Sequence, residues 1–336
     1  MRGIRLAPGE ASRMALCDIP EPVPDRRGVL VRVRAASLNY RDGLIAAGQY
    51  PAISRADVVP LSDGAGEVIA VGDEVTRFKA GDRVVISCMP RWVAGPFEPR
   101  YAIEQFGVTH DGMLADYVAV DEEGLVALPD TLSFEDGASL PCAAVTAWNS
   151  LCGLRAPLPG QSVLTIGTGS VSLFALQFAK LFGAQVIATT STDAKAESLK
   201  ALGADHVINY RDTPDWDKAV LDRTNGRGVD FVVEVGGGNT LVNSLGATRP
   251  GGQIGLIGFV AGFGGTIDPL ALIGKAVTLR GIGMGNRLDL EALVNAMACH
   301  EIHAVVDRIY DFLDYRAAFD SLGNAGRFGK AVISLE

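Results

Sequence analysis

The chain has 336 residues, 48% hydrophobic and 21% charged, a balance that excludes a mainly disordered polypeptide. Lys plus Arg number 30 and Asp plus Glu 39, so the net charge is −9, which argues against nucleic acid or an anionic membrane as partner. Glycine is in excess, 40 residues without the three-residue period of collagen, and it clusters between Gly236 and Gly265.

At this length two domains are expected. The opening residues Met1 to Arg5 lack the apolar run of a signal peptide, and the five cysteines form no C-x-x-C pair. Reduced thiols, no disulfide framework and a cytoplasmic location are the expectation. The uncharged-looking stretches 156–179 and 250–267 are broken by glycine and proline, so they read as buried strands and turns rather than membrane spans.

In chain order, residues 1–127 carry an antiparallel, barrel-like pattern. Leu30–Ala36 alternates strictly, Val84–Ser87 and Tyr117–Val120 are further strand candidates, and Gly-Asp or Asp-Gly turns separate such runs. From residue 128 to 283 strands and helices alternate. Strands are predicted at Val163–Ile166, Gln185–Thr190, His206–Tyr210, Val229–Val235, Gln253–Gly258 and Val277–Leu279. Helices are predicted at Val171–Phe182, Asp193–Leu202, Asp215–Thr224, Thr240–Ala247 and Pro269–Gly274. Strands apolar on both faces, alternating with helices, predict an α/β fold with a doubly wound parallel sheet. The last segment, with helical Leu288–Ala298 and Tyr315–Leu322 and a closing strand Lys330–Leu335, fits neither pattern clearly.

The most informative motif follows the first of these strands. Gly167-Thr-Gly169-Ser170-Val171-Ser172 is a G-x-G-x-x-S turn opening an apolar helix, the arrangement in which a pyrophosphate sits at the positive end of a helix. Serine in the third place departs mildly from the usual Gly or Ala. An NAD site places an acidic residue at the end of the second strand, some ~20 residues on. Here Thr190 and Ser191 stand there, with Lys195 close by, so NADP(H) is favoured over NAD(H). Asp193 is the contrary residue; it either caps the next helix or binds a ribose.

At these residues the chain resembles the medium-chain dehydrogenase/reductase superfamily, and within it the zinc-free quinone oxidoreductase-like branch. The resemblance spans the whole length and rests on Leu38-Asn39-Tyr40-Arg41-Asp42, Gly64-Ala65-Gly66-Glu67-Val68, Gly81-Asp82-Arg83-Val84 and Leu140-Pro141-Cys142. The phosphate turn, Leu202-Gly203-Ala204-Asp205 and Arg249-Pro250-Gly251-Gly252 extend it. It implies a GroES-like catalytic domain over 1–127, completed by 284–336, around a Rossmann domain at 128–283. It also implies a nicotinamide and substrate cleft between the domains and a homodimer. Val235, Gly236, Ile257, Phe259 and Gly283 would line the nicotinamide, and Tyr210 with Lys195 matches positions that often meet the 2′-phosphate.

The superfamily's zinc alcohol dehydrogenases bind catalytic zinc through Cys, His and Cys. The matching positions here are Asn39, Ser62 and Cys142, with Asp63 beside them, so two ligands are missing and no metal is expected. Lacking that Lewis acid, the chemistry shifts from alcohols toward hydride addition to a quinone or an α,β-unsaturated carbonyl. Such a reaction needs a hydrogen-bond donor for the enolate oxygen and a proton source, which water can be. The resemblance places Asn39, Tyr40, Ser62 and Asp63 at the cleft, with Tyr40 and Asn39 as the donors. A zinc-free alcohol or aldehyde dehydrogenase and a nucleotide-binding protein without turnover stay open as alternatives. Cys299-His300-Glu301-Ile302-His303 reads as a solvated helix end, and the aromatic loop Pro90–His110 as either a cleft wall or a surface excursion.

Overall fold

The computed structural model describes residues 1–6, 14–50, 55–262 and 264–336. These divide into two compact units, Met1–Val145 with Asn286–Glu336, and Thr146–Gly285.

The first unit begins with a two-stranded pair, β1 (Arg2–Leu6) and β2 (Met14–Asp18). Its centre is β3 (Gly28–Ser37), the strictly alternating run, longer at both ends than its sequence pattern. β3 leads into helix α1 (Tyr40–Ala46), and then come β4 (Asp63–Val71), β5 (Arg83–Ile86), β6 (Tyr117–Asp121) and β7 (Leu125–Ala127). Antiparallel pairing of β3 with β4 sets Ser37 opposite Asp63, so the residues just after β3 emerge beside the residues just before β4. Helix α2 (Phe134–Ala138) packs over β3 and β4, where the Ser37 hydroxyl donates to the Ala138 carbonyl at 2.7 Å. This packing keeps residues 128–145 with the first unit, whereas the sequence pattern set the break at 127/128.

A π-helical turn, Leu140–Ala144, runs into helix α3 (Val145–Cys152), where the second unit begins. Its strands are β8 (Ser162–Thr165), β9 (Gln185–Thr190), β10 (His206–Asn209), β11 (Val229–Glu234), β12 (Thr248–Leu256) and β13 (Thr278–Gly281). Between them lie α4 (Ser170–Leu181), α5 (Asp193–Ala201), α6 (Trp216–Arg223), α7 (Gly238–Ala247) and α8 (Pro269–Lys275). All neighbouring strands are parallel, in the order β10-β9-β8-β11-β12-β13. The chain therefore winds outward from β8 in both directions, and the strand order reverses between β8 and β11. The predicted doubly wound sheet is present, with boundaries mostly within one or two residues. β12 starts five residues before Gln253 because Arg249-Pro250-Gly251-Gly252, a turn signal in sequence, is accommodated as a register shift against β11.

The final segment returns to the first unit. Helix α9 (Arg287–His300) is followed by β14 (Val306–Asp311), α10 (Tyr315–Asp320) and β15 (Lys330–Ser334). β15 pairs antiparallel with β3, and β14 pairs parallel with β15, completing a seven-stranded sheet. Ile333 and Phe319 from this segment share one core with Val31, Leu38 and Val84. Among the described residues no helix is long and apolar enough to cross a membrane.

Candidate active site

In the second unit the site is built on strand ends. Gly167 ends the β8 turn at φ +75°, a left-handed conformation that suits glycine, and its N–H donates to Thr189 Oγ1 at 3.0 Å. Gly169 is the N-cap of α4 without a side-chain cap, and a β-carbon on either glycine would meet nothing within 4 Å. Bare backbone N–H groups of Ser170 and Val171 thus border open space at the positive end of a 12-residue helix, which fits a pyrophosphate. The serine at the third motif position is explained by its contact. Ser172, 1% exposed, donates its hydroxyl to the Ile166 carbonyl at 2.6 Å and fastens helix to strand.

The predicted adenosine end comes together one strand over. Thr190 closes β9, Ser191 follows, and Tyr210 lies just past β10 with its N–H on the Thr190 carbonyl at 2.9 Å. Lys195 sits in the first turn of α5. Thr192, not Asp193, caps that helix, accepting from the Lys195 N–H, while the Asp193 carboxylate accepts from Asn209 Nδ2 at 3.1 Å. On the other side of the strand reversal, Val235 and Gly236 follow β11, Ile257 and Phe259 follow β12, and Gly283 follows β13. The Val260 and Ala261 N–H groups donate to the Val235 and Gly236 carbonyls, which ties the first two of these stretches together. A cavity of about 430 Å³ lies beside them, lined by Gly237, Gly238, Leu241, Ile257, Gly258 and Phe259 among others.

Sequence reasoning missed Glu234 here. It is fully buried at the end of β11, where Oε1 accepts from the Gly236 and Gly237 N–H groups and Thr240 Oγ1, and Oε2 accepts from Ser244 Oγ. Four donors hold this carboxylate as the anchor of the glycine turn. A Glu in an apolar strand just before three glycines was the available signal.

The first unit gathers a denser cluster. Asn39, Ser62, Asp63 and Cys142 are scattered in sequence, with 79 residues between Asp63 and Cys142 alone, yet β3–β4 pairing and the π-helical turn bring them together. Arg41 Nη2 donates to Ser62 Oγ at 2.6 Å and to Cys88 Sγ at 2.8 Å, and the Tyr50 phenol also meets Arg41. The Ser62 hydroxyl donates in turn to Asp63 Oδ1 at 2.6 Å, and Asp63 Oδ2 accepts the Cys142 N–H at 3.1 Å. Ser62 and Asp63 are both fully buried. Lys330, at the start of β15, lies 3.5 Å from Asp63 Oδ2 and donates to Asn39 Oδ1 at 2.7 Å. Tyr40, the first residue of α1, is 43% exposed.

Burial shapes the charges in this cluster. It pushes the Cys142 thiol up to about 12 and raises Cys88 as well, with Arg41 pulling both the other way, so both thiols are protonated at neutral pH. Asp42, 2% exposed, accepts the Asn39 N–H at 2.6 Å, yet burial raises its carboxyl to about 6 against the pull of Arg41. For Arg41 itself burial opposes the charge, but Cys88, Cys142, Asp42 and Asp63 hold it above the usual guanidinium value.

Two peripheral motifs also find places. Trp92 is buried, stacks on Tyr101 with ring centres 6.0 Å apart and meets Phe97 edge-on at 5.3 Å, and its carbonyl accepts the Arg287 N–H at the start of α9. The aromatic loop is thus packed against its own unit. Helix α9 runs two residues past its predicted end, and His303 beyond it is more than a solvated tail, for its Nδ1 lies 2.9 Å from Asp136 Oδ2 in α2.

Family comparisons agree with this architecture. Residues 25–130 match a family described as an alcohol dehydrogenase GroES-like domain, and residues 170–299 match one described as a zinc-binding dehydrogenase. The chain belongs to the medium-chain dehydrogenase/reductase superfamily. A zinc-type alcohol dehydrogenase-like protein of Schizosaccharomyces pombe is 41% identical over 92% of this chain and 91% of its own length. A 2-methylene-furan-3-one reductase of Solanum lycopersicum is 36% identical over 72% of this chain and 59% of its own, and a quinone oxidoreductase of Lama guanicoe is 27% identical over 100% and 98%. A solved structure from Sinorhizobium meliloti 1021, provisionally named an alcohol dehydrogenase, superposes with a TM-score of 0.93 at 38% identity, covering 100% of this chain and 99% of that one. The chain is an oxidoreductase of this superfamily.

Within the superfamily the three positions of the catalytic zinc ligands are informative. Here Asn39 Oδ1 is taken by an ammonium and Ser62 Oγ by a guanidinium, and the Cys142 thiol is held protonated. Two fixed cations, one neutral amide, one hydroxyl and one thiol are a poor donor set for a divalent metal. Among the described residues no group of three or more His, Cys, Asp or Glu is placed to hold one.

Proposed function

We propose that the protein is a zinc-independent, NADPH-dependent reductase that transfers hydride to a quinone or an α,β-unsaturated carbonyl compound. The observation that carries this reading is the replacement of a metal's donor set by Arg41 and Lys330 around Asn39, Ser62, Asp63 and Cys142. The quinone oxidoreductase and furanone reductase relatives support the substrate class. Bound NADPH would supply the hydride from its nicotinamide. The β-carbon of the acceptor takes the hydride, the displaced electron pair moves to the carbonyl oxygen, and solvent returns a proton to the α-carbon. Asn39 and Tyr40 are the donors assigned to that oxygen.

Gly167, Gly169, Ser170 and Val171 would hold the pyrophosphate. Lys195, Ser191 and Tyr210, beside Thr190 where a carboxylate would repel a 2′-phosphate, favour NADPH. Val235, Gly236, Ile257, Phe259 and Gly283 would border the nicotinamide. A homodimer is proposed through the second unit, because β13 is an edge strand and Leu270 and Ile273 on the adjoining α8 are 74% and 73% exposed.

The test is NADPH oxidation followed at 340 nm with but-3-en-2-one and 1,4-benzoquinone, after exhaustive chelation, beside cofactor reduction by primary and secondary alcohols. Turnover of the enone or quinone alone is expected. Turnover confined to the alcohols replaces the proposal with a zinc-free dehydrogenase.

A further inference from the structure

Lys330 begins β15 in an ordinary-looking stretch, yet it is 1% exposed and among the largest fully buried side chains. Its ammonium donates to the Leu38 carbonyl at 2.9 Å and to Asn39 Oδ1 at 2.7 Å, and it forms an ion pair with the Asp63 carboxylate at 3.5 Å. The ammonium is buried among these groups, so Lys330 acts through them and not by touching a ligand itself.

The consequence falls on Asn39. An ammonium can only donate, so the amide oxygen must face Lys330, and the orientation of the amide follows from chemistry. Asn39 Nδ2 is thereby turned the other way, where it is buried and meets no acceptor in the chain. Buried donors are nearly always paired, and an exception calls for an explanation. Ser62 and Asp63 offer no comparable atom, since their oxygens are spent on one another and on Arg41, Cys142 and Lys330.

We propose that Lys330 is a positioning residue, which locks the Asn39 amide so that Nδ2 is a pre-aimed donor for an oxygen of the bound ligand. The inference rests on the proposed function for its two ligands, and the oxygen belongs either to the nicotinamide cofactor or to the carbonyl acceptor. A donor fixed in advance needs no reorganisation when charge develops on that oxygen. Asp63 completes the lock by compensating the buried ammonium.

Three variants test it, Asn39→Asp, Asn39→Ala and Lys330→Gln, with the double Asn39→Ala/Lys330→Gln. Asn39→Asp keeps an oxygen for Lys330 and removes only the donor, so its melting temperature should match or exceed that of the wild type. Lys330→Gln lets the Asn39 amide turn over. Each is titrated with NADPH and NADH by nicotinamide fluorescence without acceptor, then assayed with the enone. A tenfold or greater loss is expected from each single variant, and the double variant should lose no more than Asn39→Ala, since Lys330 acts through Asn39. A loss in cofactor affinity places the oxygen on the cofactor; a loss in kcat at unchanged affinity places it on the carbonyl. The proposal is overturned if Lys330→Gln lowers the melting temperature but leaves affinity and kcat within twofold, or if the losses multiply in the double variant. If the wild type reduces no enone or quinone, the proposed function falls, and the cofactor titration alone decides this one, with unchanged affinity overturning it.

Discussion

The phosphate turn and the Asn39–Asp63 cluster are opposite solutions to holding a ligand. The turn is open, with two glycines facing empty space and an uncapped helix end, and its hydrogen bonds reach no more than 22 residues along the chain. The cluster is closed and charged, with two cations, a fully buried carboxylate and hydrogen bonds that span up to 292 residues of sequence. Recognition of a phosphate needs only backbone N–H groups and room, which a short motif supplies. Orienting a side chain against a reacting atom needs partners from several strands.

The comparison can be broken at either end, and the largest effect is expected at the open one. Gly169→Asp puts a carboxylate into the empty space before α4 without touching a neighbour. Cofactor affinity should fall a hundredfold or more with the melting temperature nearly unchanged, and unaltered affinity in a fluorescence titration removes the turn from the site. In the closed region, the folded Asp42 carboxyl at about 6 lies above its unfolded value of 3.8, so folding is favoured most below the unfolded value. That contribution is lost as pH rises through 6, a change of order 3 kcal/mol. Asp42→Asn should flatten this decline in urea melts between pH 4 and 7; an unchanged pH dependence assigns the decline to other groups. Back in the open region, Lys195→Ala should weaken NADPH about tenfold more than NADH, or about 1.4 kcal/mol. Equal losses undo the 2′-phosphate assignment. Smallest of all, chelation should change the reduction rate less than twofold, and restoration of activity by added zinc would contradict the reading of the cations.

The same contrast explains what the sequence made legible. The parallel sheet was readable because its central strands β8, β9 and β11 are buried on both faces and each helix lies next in the chain. β14 was not, for Val306–Asp311 exposes most of its side chains and takes its identity from pairing with β15. Gly167 and Gly169 announce themselves by spacing, whereas Lys330 carries no local signal at all. Arg41 sits next to Asp42 in sequence, but the register of β3 on β4 also sends its guanidinium to Ser62 and Cys88. The order Asn39, Ser62, Asp63 and Cys142 was visible; which of their atoms are already spent was not.

The return of β15 to β3 also has a consequence in time. A ribosome completes the whole of Thr146–Gly285 before it reaches Lys330, and Asn39 then waits 291 residues for the ammonium that orients it. The second unit can therefore take shape on the nascent chain. The side chains proposed for the chemistry come into order only after the strand at Lys330–Ser334 has been made, so a chain interrupted before that point is expected to fold its second unit while the Asn39 cluster stays unassembled.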